Sequence, residues 1–292
     1  MNIFAHVEKQ DTMGVVNKIQ AALAATSNLV TSLIKVTLLT RPTGRYDKTK
    51  PQSKELIILG NGPSLRDLLD NHHSFIEGKD LMAVNFASSS TDYTDLRPRY
   101  YLLMDPAFFN DHTTCVRAFK PMAERTKWPM SLIVPTSARR QKEWKQILSS
   151  NRHITVMYFN PTPIEGPQWF CHLCYRLKWG MPRPRNVLVA CCMTALQLPY
   201  SNIYLAGADH SWMKEIWVDD NNVVQEDRAH FYDKGHTTRV TSPYKLYQLV
   251  ESMAVAFRSY LYVEDYSKTL KKKIINISNG SYIDAFTRLN LD

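Results

Sequence analysis

The residue types best suited to chemistry crowd into Gln225 to His236, QEDRAHFYDKGH, a stretch without strand or helix periodicity that reads as a loop. His230 and His236 titrate near neutral pH, so within a crevice either can take a proton from a hydroxyl nucleophile or hold a phosphate oxygen. Tyr232, between them, can donate a hydrogen bond to a departing phosphate. Asp209-His210-Ser211 holds the residue types of a hydrolytic triad. Adjacent residues on an extended segment point in different directions, however, so they cannot form a relay. Cys171 and Cys174 form a C-x-x-C around His172, but no second pair follows at zinc-site spacing. They read as a thiol pair, and no metal site is expected.

Such groups need a frame that brings them together. In Lys54 to Leu65, KELIILGNGPSL, an apolar run ends in Gly60-Asn61-Gly62-Pro63-Ser64 and leads into Leu65-Arg66-Asp67-Leu68-Leu69, the pattern of strand, tight turn and helix. Pro63 suits the first turn of a helix, and the unpartnered amides there favour an anionic ligand, a phosphate above all. The turn matches neither G-x-G-x-x-G nor G-x-x-x-x-G-K-[ST], since the third glycine and the Lys-Ser/Thr are missing. Asp80 to Phe86 and Tyr100 to Pro106 read as further buried strands with Asn85 and Asp105 at their carboxyl ends. In open α/β sheets ligands sit beyond those ends, so Asn61, Asn85 and Asp105 are expected to converge on one crevice.

Strands are also expected at 130–135 and 153–159 with a helix over 141–148 between them. A buried helix is expected over 187–196, a strand over 201–209 ending in Gly207-Ala208-Asp209, a helix over 244–260 and a short strand at 274–277. Alternation of this kind argues for an α/β fold, a doubly wound, mostly parallel, Rossmann-like sheet. Residues 160–185, rich in proline and tryptophan, read as a lid-like insertion. Residues 1–53 read as an N-terminal unit: an amphipathic helix with no charge between Lys18 and Lys35, then a linker carrying Arg41, Arg45, Lys48, Lys50 and Lys54 against Asp47 alone. A basic flank beside such a helix fits an anionic membrane surface, and a helix packed on the main domain fits the same pattern. The catalytic domain is then 54–292.

At 292 residues and 44% hydrophobic content the chain is long enough to bury a sizeable core, and its net charge of +9 points to an anionic partner. Five cysteines without regular spacing and no apparent secretory signal lead to an expected cytoplasmic location, with peripheral attachment to the inner membrane face.

ELIILGNGPSL, AVNF, MDPAFF, NIYLAGAD, HFYDKGH and ISNGSYIDAF occur in the order seen in bacterial sialyltransferases of glycosyltransferase family 42, which this chain resembles from about Glu55 to Arg288. It is equally similar to the wider group that includes flagellin-modifying nonulosonic acid transferases and 6-hydroxymethylpterin pyrophosphokinases. The resemblance implies nucleotide contacts from Gly60, Asn61 and Ser64, with Gly62 in the same turn, and donor contacts from Asn85 and Asp209. Asp105-Pro106 stands where the family has Asn-Pro, and a second negative charge beside an anionic sugar is unfavourable unless protonated or paired. Arg185-Asn186 loosely matches an Arg-x-Thr-Ser segment, implying acceptor contact by Arg185 and nucleotide contact by Asn186. Motif order favours His236 over His230 as general base. The implied reaction is an inverting, metal-independent transfer of an acidic sugar from a CMP-activated donor to an oligosaccharide or lipid-linked glycan, with no obligatory cofactor.

Two other readings compete. A magnesium-dependent pyrophosphokinase would use Asp105 and Asp209 as metal ligands. A nucleic-acid-binding protein has only the positive charge behind it, since no RNP-like, zinc-finger or recognition-helix pattern is present, and no nucleic acid partner is expected.

Overall fold

Short apolar runs bounded by Gly, Pro or Asn become strands here, and their alternation with helices sets the architecture. The computed structural model describes residues 4–44, 46, 51–228 and 238–291. A long helix, α1 (Phe4–Leu39), precedes β1 (Glu55–Leu59), α2 (Ser64–Asn71) and α3 (His73–Ile76). Next come β2 (Asp80–Val84), α4 (Tyr93–Leu96), β3 (Tyr100–Leu102), α5 (Ala107–Asn110) and α6 (His112–Arg125). The first half of the sheet ends with β4 (Met130–Pro135), α7 (Glu143–Leu148) and β5 (Ile154–Phe159). Two helices, α8 (Gln168–Arg176) and α9 (Val187–Ala195), lead back to β6 (Asn202–Ala206). Three short strands follow, β7 (Ile216–Val218), β8 (Val224–Arg228) and β9 (Thr238–Thr241), then α10 (Leu246–Thr269), β10 (Lys273–Asn276) and β11 (Thr287–Arg288).

Among the described residues, eight strands form one sheet in the order β11-β10-β6-β1-β2-β3-β4-β5, and all its pairings are parallel. This is the α/β, Rossmann-like arrangement expected. The chain runs outward from β1 to β5 and returns to lay β6 on the other side of β1, so the order reverses at the β1/β6 boundary. Alternate residues feed the two faces. Leu56, Ile58, Met82 and Val84 point into a core shared with α8, α9 and α10, while Ile57, Leu59 and Leu81 pack with Leu65 and Leu68 of α2. A third cluster joins Tyr101 and Leu132 to Phe119 of α6 and Trp144 of α7. With both faces covered, the strands carry unbroken apolar runs instead of alternating ones.

Three segments differ from expectation. Residues 160–185 contain α8, whose Phe170, Cys171, Cys174 and Tyr175 are buried in the main core. The C-x-x-C spacing is therefore a helical i, i+3 pair on an apolar face, and the flanking prolines bracket the helix instead of marking a lid. The second difference is β8, paired antiparallel with β7 and β9, where Gln225 to Arg228 were read as loop. All five cysteines are buried and unpaired, and burial raises the Cys171 and Cys174 thiols, Cys174 to about 11. Among the described residues no three His, Cys, Asp or Glu side chains converge as a metal site would require.

The third difference lies in the G-N-G turn. A Cβ on Gly60 would stand 2.4 Å from the Gly207 carbonyl oxygen, and one on Gly62 would stand 1.8 Å from Asp209 Oδ2. Gly60 and Gly62 donate their amides to Ala206 and Gly207, at 2.7 and 2.9 Å. The glycines thus serve close passage of two backbones at the ends of β1 and β6. Gly60→Ala should destabilise the fold by about 1–3 kcal/mol or more, the usual range for forced overpacking. Urea unfolding reads this directly, and an unchanged midpoint would contradict the close approach.

Candidate functional site

A crevice of 930 Å³ opens beyond the carboxyl ends of the parallel strands, lined in part by Asn61 after β1, Asn85 after β2, Asp105 after β3 and Asp209 after β6. It sits at the β1/β6 reversal, where doubly wound sheets place their ligands because the connecting segments diverge there. Gly62, Arg185 and Asn186 also line it. Gly60 and Ser64 do not, and their neighbours explain why.

Ser64 begins α2, and both its amide (3.2 Å) and its hydroxyl (2.9 Å) donate to the Asp209 carboxylate. The anion position at this helix N-terminus is thus filled by the protein's own carboxylate. The amides of Leu65 and Arg66 bond back to Gly62 and Pro63. This corrects the expectation that the turn amides stand open to a phosphate. Asn61 is different: its side-chain Oδ1 is buried and has no hydrogen-bond partner among the described residues.

Asn85 ends β2 in the left-handed region (φ 52°), a conformation Asn tolerates better than most residues, and its carbonyl accepts the Tyr101 hydroxyl at 2.6 Å. Asp105 is exposed and accepts the Ala107 amide at 2.8 Å, closing a local turn at the start of α5. Arg185 is exposed at the crevice, and among the described residues its guanidinium has no hydrogen-bond or ion-pair partner. Arg183, also lining the crevice, is held by Glu165 at 2.7 Å, which keeps that carboxyl below its ordinary range.

Asn186 caps α9. Its Oδ1 accepts the amides of Leu188 (2.9 Å) and Val189 (3.3 Å) and the Tyr260 hydroxyl (2.8 Å), while its Nδ2 is buried without a partner among the described residues. The Tyr260 hydroxyl also lies 2.7 Å from His210 Nε2, and the His210 ring stacks on Trp212 with centroids 4.1 Å apart. Because Tyr260 donates to Asn186, His210 Nε2 is the protonated nitrogen in this arrangement. Burial pushes the His210 pKa down to about 3, so the ring is neutral near pH 7. Asp209 and His210 therefore turn to different partners, Ser64 and Tyr260, as adjacent residues must.

Sequence reasoning weighs His210 only in a triad that adjacency rules out, and it does not single out Trp212 or Tyr260. Their signal was an aromatic and histidine content that only the fold brings together. His230, Tyr232 and His236 lie outside the described residues. Of the strands that flank them in sequence, β8 borders the crevice through Glu226 and Asp227.

Burial raises the Asp209 pKa above its ordinary 3.8, against the Ser64 hydrogen bonds that lower it. Between 3.8 and the raised value the folded protein binds more protons than the unfolded chain, so this group's contribution to stability falls as pH rises. Asp209→Asn removes that slope. Its melting temperature relative to the native protein should climb as pH rises from the ordinary aspartate pKa of 3.8, and a constant difference in parallel thermal scans would refute the assignment.

No family model matches the sequence, so the resemblance to family-42 sialyltransferases rests on its short motifs. No curated protein matches it either. Among solved structures, the chain is similar to the MAf glycosyltransferase from Magnetospirillum magneticum AMB-1, with 13% sequence identity and a TM-score of 0.49. The match covers 91% of this chain and 38% of that one, so the chain spans well under half the length of the protein it is similar to.

Proposed function

We propose that the crevice binds a CMP-activated acidic sugar and transfers the glycosyl group to a hydroxyl of an oligosaccharide or lipid-linked glycan on the cytoplasmic side. The observation that carries the reading is that two residues lining one crevice at the sheet's reversal point each hold a buried amide atom without a partner among the described residues, an acceptor at Asn61 Oδ1 and a donor at Asn186 Nδ2. A buried polar group left unpaired costs about 1–3 kcal/mol, so each favours a ligand that completes it. A nucleotide-sugar offers both hydrogen-bond donors and acceptors along its length. Arg185, which the sequence resemblance assigns to the acceptor, is an exposed cation at the crevice and in this reading serves the donor's phosphate or carboxylate instead.

In this reading the acceptor oxygen attacks the anomeric carbon as the bond from that carbon to the phosphate oxygen breaks, inverting the centre. The electron pair leaves with cytidine monophosphate. His236, or His230 in its place, takes the acceptor proton. Since Asp209 already occupies the α2 N-terminus, support for the leaving phosphate falls to Tyr232 and Arg185. Placement of donor and acceptor supplies much of the rate, and a positioned base adds on the order of a hundred- to ten-thousand-fold.

One observation favours a second reading. Asp105, Asp209, Glu215 and Asp227 all line the crevice, and an acidic mouth suits a magnesium-bridged diphosphate better than a bare anion. That reading is transfer of diphosphate from ATP to an alcohol.

Release of free nucleotide from CMP-, UDP- and GDP-sugars and from ATP, each with EDTA and with magnesium, separates the two. The expected result is EDTA-insensitive release of CMP from an acidic CMP-sugar. His236→Ala should lower turnover by at least about a hundredfold with little change in donor affinity. Arg185→Ala should raise donor KM about tenfold with a smaller effect on kcat. Unchanged turnover in both His236→Ala and His230→Ala removes the general-base role, and magnesium-dependent turnover of ATP alone selects the second reading.

A further inference from the structure

The helix α1 presents its two sides in the reverse of the usual order. Its inner side, Ala25, Leu29, Ser32, Lys35 and Val36, faces the domain, with the Ser32 hydroxyl donating to the Glu165 carbonyl (2.7 Å) and accepting the Glu165 amide (2.9 Å). Lys35 pairs with Glu165 at 3.8 Å, and just beyond the helix Thr40 donates to the Trp179 carbonyl at 2.6 Å. Gly166 passes so close to Leu29 that a Cβ there would stand 3.2 Å from the Leu29 Cα. The outer side carries Leu23, Val30, Ile34 and Leu38, spaced i, i+7, i+11 and i+15, and these are 66%, 52%, 55% and 62% exposed. A soluble helix ordinarily turns such a stripe inward.

The window Ala22–Leu39 has a mean hydropathy of 1.5 and is 6% buried, so this is not the core helix of a soluble fold. It is the one helix among the described residues long and apolar enough to cross a membrane. Crossing would pull the inner side away from Glu165 and carry Lys35 into hydrocarbon, whereas lying flat keeps every contact and immerses only the outer stripe. Two exposed tryptophans, Trp169 and Trp179, belong to the segment that holds α1, and this residue type settles at the lipid–water boundary. Just past the helix, the sequence carries Arg41, Arg45, Lys48, Lys50 and Lys54 against a single Asp47, a charge suited to anionic headgroups.

We infer that α1 is an in-plane membrane-binding surface, its outer stripe inserted into one leaflet of an anionic bilayer while its inner side stays docked on the catalytic domain. This inference goes beyond the proposed reaction and is independent of it, because it uses no residue of the crevice.

The test is co-sedimentation of the full chain with vesicles of phosphatidylglycerol and phosphatidylcholine, compared with phosphatidylcholine alone. Binding should require the anionic lipid and be released by alkaline carbonate. The combined variant Leu23→Ser, Val30→Ser, Ile34→Ser and Leu38→Ser should lower binding by at least about a hundredfold. Its melting temperature should match the native protein's, since the replaced side chains are exposed. As a second readout, Ile34→Cys offers an accessible thiol beside five buried ones, and an environment-sensitive dye placed there should shift to the blue on vesicle addition. Equal binding by the serine variant, or no dye shift while the protein binds, overturns the inference. Retention through carbonate would make α1 a spanning helix. Concentration-dependent dimerisation without lipid, abolished by the serine variant, would give the stripe to a second copy of the chain.

Discussion

The crevice depends on one contact, the passage of the β1 and β6 strand ends across each other at Gly60 and Gly207. With Gly60 bonded to Ala206 and Gly62 to Gly207, the segment after β6 is drawn against the start of α2, and Asp209 lands on Ser64. The helix dipole favours negative charge at this position, while burial disfavours it and raises the Asp209 pKa. An anion from solution would have to displace a carboxylate already held by two hydrogen bonds. In the proposed reading, recognition therefore moves from the α2 amides to the side chains around them, above all Asn61 and Arg185.

The opposite wall is rigid for a different reason. The Asn186 Oδ1 ties the α9 N-terminus to Tyr260 of α10, and Tyr260 ties both to the stacked pair His210 and Trp212. Because His210 is neutral, this chain of hydrogen bonds keeps one donor direction near pH 7, and Asn186 has one amide orientation that satisfies all three of its donors. That orientation leaves Nδ2 unpaired. The wall is thus fixed by a hydrogen-bond chain in which the buried Asn186 Nδ2 lacks a partner among the described residues.

How much of this the sequence disclosed follows from the range of the interactions involved. Strands such as Leu56–Leu59 and Met130–Pro135 are visible because burial on both faces demands unbroken apolar residues, and their polar ends at Asn61, Asn85 and Asp105 mark the crevice by topology alone. The partner of Ser64 lies 145 residues away, so no local pattern foretells that Asp209 fills the turn. α8 was hidden by prolines on either side of a short helix whose apolar face includes two cysteines. β8, Val-Gln-Glu-Asp-Arg, lacks alternation because it is a small strand at the crevice edge whose pairing, not burial, holds it in place.

Charge distribution unites the two ends of the molecule. The chain has a net charge of +9, yet carboxylates dominate the described charged groups lining the crevice, with Arg185 exposed and Arg183 engaged by Glu165. The surplus therefore lies outside those groups, and long-range attraction of an anionic donor is not its main use. Part of it is carried by the sequence that follows α1, the helix that holds apolar side chains out to solvent. Glu165 serves both regions, pairing with Lys35 of α1 and with Arg183 of the crevice wall. Movement of α1 away from the domain would break the Lys35 pair of a carboxylate that also holds Arg183, so the helix and the crevice wall share one ion-pair junction.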